Sequence, residues 1–108
     1  MSGRVSVMSP TQRSLKHLRE LGHPLVGVVE RWNAFAGVRL VLFGCLDVLV
    51  VGPDIVGVRT TSGSNAASRV LKLRSSDALP VLKQAGVGVA VHGWRKLKGR
   101  WSVRVVAL

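Results

Sequence analysis

A chain of 108 residues has room for one hydrophobic core and not two, and its 47% apolar content separates it from disordered polyelectrolytes. Sixteen Lys and Arg against five Asp and Glu give a formal charge of +11, an excess that points to a folded binder of polyanions, nucleic acid foremost, since solubilising surfaces mix both signs. The single cysteine, Cys45, excludes an intrachain disulfide and suits a reducing, cytoplasmic setting; no run has the length of a membrane span and the N-terminus lacks the apolar core of a signal peptide.

Residues 1–8 read as a lead-in and 9–108 as one domain. Ser9-Pro10-Thr11-Gln12 predicts a helix start, with Ser9 as N-cap, Pro10 in the first turn and Gln12 at the capping-box position. Leu15, Leu18 and Leu21 form its apolar stripe, Arg13, Lys16, His17 and Arg19 face outward, and Gly22 with Pro24 ends it. Leu25 to Glu30 is a first strand ending at Glu30, and Trp32 and Asn33 shape an irregular segment after it.

Leu40 to Val51, LVLFGCLDVLVV, is apolar on both alternating faces and predicts a central strand covered on both sides, with Cys45 and Asp47 inside it. A carboxylate buried there needs a partner. Gly52-Pro53-Asp54 makes a turn into an antiparallel third strand, IVGVRTTS. If the loop is these three residues, Val51 faces Ile55, and the register carries Asp47 opposite Arg59 and Cys45 opposite Thr61; a bulge would turn Arg59 away.

Ser64 is the expected N-cap of a helix that packs through Ala66, Ala67, Val70 and Leu71 and turns Arg69, Lys72 and Arg74 outward. Ser75-Ser76-Asp77 caps another helix, with Leu79, Val81 and Leu82, that ends at Gly86. Val87 to Val91 reads as a buried strand, HGWRKLKGR as a basic hairpin, and Trp101 to Leu108 as the last strand.

The order of helix, three strands, helices and two strands resembles the PD-(D/E)xK nuclease superfamily, most closely its small phage or archaeal Holliday-junction-resolvase-like members. The resemblance rests on VVERWN at 28–33, FGCLDVLVV at 43–51, GVRTTSGSN at 57–65 and VHGWRK at 91–96. It implies an α/β fold, a single-domain mixed sheet of four to five strands flanked by helices, restriction-endonuclease-like with an αβββαβ core. It also implies a C2 homodimer acting on branched or duplex DNA.

In that superfamily the second-strand Asp and a third-strand acid hold a divalent metal, and a Lys two positions later orients water. Asp47 matches the first position, but Arg59 stands where the acid belongs and Thr61 where the Lys belongs. Glu30 matches an additional acid of resolvase-like members. In one reading Glu30 and Asp47 hold Mg²⁺ or Mn²⁺, Arg59 stabilises phosphate charge and Thr61 adds a hydrogen bond, giving a structure-selective endonuclease. In the other, Arg59 takes the metal's place in a buried ion pair with Asp47, leaving an inactive module that binds nucleic acid or a host protein.

His17, His23 and His92 have no metal-ligand spacing and read as surface or loop residues; Ser62 and Ser64 read as turn and cap residues, and Cys45 as a buried structural thiol. Expected phosphate contacts are Arg13 and Lys16, Arg69 and Lys72, and the tract Arg95, Lys96, Lys98 and Arg100, where Trp94 and Trp101 are interleaved as anchors of the hairpin.

Overall fold

The computed structural model describes residues 8–108, so all of the expected lead-in except Met8 lies outside the described residues. Helix α1 (Pro10–Glu20) begins as its sequence dictates: the Ser9 hydroxyl accepts from the Gln12 backbone N–H at 3.2 Å and Pro10 sits in the first turn. Its inner face carries Thr11, Ser14, Leu15 and Leu18. Leu21 is 63% exposed, because the helix is over by then and Gly22, at φ +88°, turns the chain away.

Five strands form one mixed sheet in the order β1 (Leu25–Val28), β4 (Val48–Val51), β5 (Ile55–Ser62), β6 (Val87–Leu97), β7 (Arg100–Ala107). All neighbours are antiparallel except β5 and β6. That parallel pair needs a crossover, supplied by a 3₁₀ turn (Gly63–Asn65), α2 (Ala66–Arg74) and α3 (Ala78–Gln84). The α/β fold expected from sequence, a mixed sheet of four to five strands flanked by helices, is the one observed, with five strands. No helix among the described residues is long and apolar enough to cross a membrane.

Side-chain alternation divides the core between the two faces. Under α1, Leu18 packs with Val48, Val50 and Val58; under α2, Val70 and Leu73 pack with Cys45, Leu46, Val89 and Val91. Gly57 lets Leu46 lie flat on β5, since a Cβ there would come within 2.5 Å of its Cδ1.

The expected central strand over 40–51 is broken. Only Val48–Val51 is strand; Leu42 and Leu46 face each other across a tight turn in which Phe43 and Gly44 take φ +55° and +72°, so Cys45 is buried in a turn rather than a strand. The Val51–Ile55 register holds through Val48–Val58, but no strand continues to set Cys45 against Thr61, which instead pairs with Gly93 of β6. The first strand stops at Val28, leaving Glu30 in the following connection. The stretch expected to be irregular forms a separate hairpin of β2 (Arg31–Asn33) and β3 (Val38–Leu40), in which the Asn33 side chain accepts from the Phe35 and Ala36 N–H groups.

Ser64 lies within the 3₁₀ turn instead of capping α2, and Leu73 replaces the exposed Ala67 and Leu71 on its packing face. The expected basic hairpin is mostly strand: β6 runs to Leu97, and only Lys98 and Gly99, both at positive φ, make the turn.

Candidate functional site

A cleft of about 520 Å³ opens where β5 leaves the sheet, lined by Pro10 at the start of α1, Trp32 and Arg39 of the small hairpin, Val41, Asp47, Arg59 to Ser62 of β5, Asn65 of the 3₁₀ turn, and Arg69 of α2. It lies outside the carboxyl end of β5, beside its parallel neighbour, where α/β sheets commonly bind ligands. Asp47 is 2% exposed. Its Oδ2 accepts from the Thr60 N–H at 2.7 Å and from the Thr60 hydroxyl at 3.3 Å, and Thr60 in turn is bonded to Thr11 Oγ1 at 2.8 Å, tying α1 to the site.

Arg59 Nη1 stands 3.6 Å from Asp47 Oδ1, close enough for ion pairing and too long for a hydrogen bond. Arg59 Nη1 and Arg69 Nε are both buried and without a hydrogen-bond partner. Glu30 does not line the cleft, but its carboxyl adjoins that of Asp47. Burial raises it above the ordinary carboxyl range, and the neighbouring Asp47 adds to that, against opposing contributions from Thr11 and Arg39. Arg39 Nη1 lies 3.5 Å from Glu30 Oε2. Thr61 is buried at the cleft wall. The Cys45 thiol, raised by burial, is in its unreactive protonated form near neutrality.

Mg²⁺ requires several oxygens in near-octahedral array. The two carboxylates each have a guanidinium beside them, and one Asp47 oxygen is already committed to Thr60; among the described residues no three His, Cys, Asp or Glu side chains converge. A divalent cation entering beside these two carboxylates meets Arg59 and Arg39. The donor set is that of an ion-pair cluster and does not fit a magnesium cage.

The other expected contact residues do not join this cleft, apart from Arg69. Lys72 flanks a smaller cavity shared by Arg59, Arg69 and Cys45. Arg13 and Lys16 wall a second cavity with His17, Trp94 and Trp101, in which the Arg13 guanidinium lies 3.7 Å from the Trp101 ring centroid. Arg95, Lys96, Lys98 and Arg100 are exposed along the β6–β7 hairpin.

His92, expected at the surface or in a loop, is 4% exposed. Ser14 Oγ lies 2.9 Å from its Nδ1 and accepts from the Trp94 indole N–H at 2.8 Å. Burial, with His17 nearby, lowers its pKa to about 4, so the ring is neutral at pH 7. His17, expected to face outward, is half-buried with its ring edge-on to Trp94. Sequence reasoning missed Trp32, which lines the cleft; its signal was an aromatic between Arg31 and Asn33, next to Glu30.

Comparison of the chain with protein-family models, curated sequences and solved structures found no match.

Proposed function

We propose that the chain is a DNA-binding protein of nuclease-like fold in which a guanidinium has taken the place of the catalytic metal. The observation that carries this reading is the pairing of buried Asp47 with Arg59 in a cleft that also presents Arg39 and Arg69. Asp47 then serves to fix Arg59, and the guanidinium groups of Arg59 and Arg69, both lining the cleft, meet phosphate oxygens. The charge of +11 supplies the sequence-independent part of the affinity, through the exposed Lys and Arg of α1, α2 and the β6–β7 hairpin. A reducing, cytoplasmic setting and a C2 homodimer belong to the same reading.

A second reading, a metal-dependent structure-selective endonuclease, is favoured by one feature, the adjoining carboxyls of Glu30 and Asp47. The experiment that separates the two is incubation of labelled four-way junction, flap and linear duplex DNA with Mg²⁺ or Mn²⁺, beside an Asp47→Ala control. Binding without products is expected. Metal-dependent products lost in the control would reinstate the nuclease, and absence of binding to every substrate would leave a module directed at a host protein.

A further inference from the structure

Resting on the DNA-binding reading, we propose that the cleft holds one unpaired nucleotide, its phosphate on Arg59 and Arg69 and its base on the indole of Trp32. Buried N–H groups are almost always satisfied in folded proteins. Arg59 Nη1 and Arg69 Nε are two that are not, both side chains line the cleft, and Arg59 is four-fifths buried, so its guanidinium is held in place rather than waving in solvent. With Arg59 and Arg69 on one cleft, an anion with several acceptor oxygens has cationic donors on both side chains to accept from.

The base follows from Trp32, which lines the same cleft. The chain has three tryptophans; Trp94 is 8% exposed and Trp101 has Arg13 over its ring, whereas Trp32 is 67% exposed beside the arginines. It stands on a hairpin of three-residue strands, too short to be stable in water by itself, whose turn residue Phe35 is fully exposed and whose flanks carry Arg31 and Arg39. Such a surface, apolar at the ring and cationic at its borders, is complementary to a base attached to a phosphate chain. Inside a duplex both faces of each base are already stacked, whereas an unpaired base offers a face to an indole. A volume of about 520 Å³ is that of a small-ligand site and has no room for a double helix.

The test is fluorescence anisotropy with labelled oligothymidylate and with a blunt duplex of the same length, in EDTA. Trp32→Ala is expected to weaken oligothymidylate binding about 5- to 150-fold, the range that removal of one base stack spans, and to change duplex binding less than about 2-fold. Trp32→Phe restores most of the affinity, Arg69→Gln weakens oligothymidylate binding, and oligothymidylate quenches tryptophan emission in the native chain but not in Trp32→Ala. Equal losses on both DNAs, no loss on either, or a Trp32→Ala defect that is one of self-association all overturn the inference. Duplex binding with no single-strand binding overturns the inference alone, whereas failure of the native chain to bind either DNA overturns the DNA-binding reading with it.

Discussion

Replacing Asp47 by Ala separates an ion-pair cluster from a metal site through its effect on stability. The substitution leaves the Thr60 N–H without its acceptor at 2.7 Å, a penalty of about 1–3 kcal/mol for a buried donor. It also leaves Arg59 without its counter-ion at 3.6 Å, where breaking a buried pair costs about 3–5 kcal/mol. The Arg59 side chain is 20% exposed and can turn partly toward solvent, and Glu30 gains from losing a like-charged neighbour, so the low end of the combined range applies. The expected loss is about 4 kcal/mol, roughly 16–32 °C in Tm for a domain of this size. Asp47→Asn, which keeps an oxygen for Thr60, falls between Asp47→Ala and the native chain. Urea denaturation in EDTA and in Mg²⁺ reads the effect. A ligand carboxylate held against Glu30 would give the opposite sign: an Asp47→Ala variant as stable as the native chain or more so, together with saturable stabilisation of the native chain by Mg²⁺, refutes the argument.

Acidification acts through His92. Below pH 6.5 the unfolded chain takes up a proton that the folded chain refuses until about pH 4, so stability is lost as pH falls through that window, by up to about 3 kcal/mol. Urea midpoints at pH 7 and pH 4.5 should therefore differ more in the native chain than in His92→Gln; equal differences contradict the assignment. Glu30 carries the opposite sign: its raised carboxyl costs stability as pH rises from the ordinary carboxyl range to its folded pKa, and the full cost is present above that. Glu30→Gln should thus be more stable than the native chain at pH 8, with the gain shrinking as pH falls toward about 4.5 and absent below it, and a thermal melt that shows a loss at pH 8 speaks against it. In the core, Gly57→Ala pushes a Cβ to 2.5 Å from Leu46 and should cost about 1–3 kcal/mol. Pairing it with Leu46→Ala should give less than the sum of the two single losses, and strict additivity would mean that the clash with Leu46 is not the cause.

The order of helices and strands was legible because it is written in local signals: the Ser9 cap, the Gly52-Pro53-Asp54 turn and the glycines that stop helices. The Asp47–Arg59 pairing was legible for the same reason, since loop length fixes hairpin register. The stretch from Leu40 to Val51 misled because a tight turn at Phe43-Gly44 contains no polar residue, and the chain bends there through the positive φ that Gly44 accepts without strain. Its apolar run was read as one strand when it serves three ends, a hairpin strand, a turn and a sheet strand. The burial of His92 and Ser14 was missed because the two meet only across 78 residues of chain. Trp32 was assigned to a loop because nothing local reports that β2 and β3 pair away from the main sheet, beside the cleft.

The central claim, that arginines rather than a metal make this cleft a phosphate site, is tested most directly by DNA binding in EDTA as salt is raised from about 50 to 200 mM. The account predicts metal-independent binding whose log–log salt slope falls by about 1 when Arg59 and Arg69 are both changed to Gln, about one unit for the single phosphate the two share. Binding that appears only when Mg²⁺ is restored, or a slope unchanged in the double variant, contradicts it.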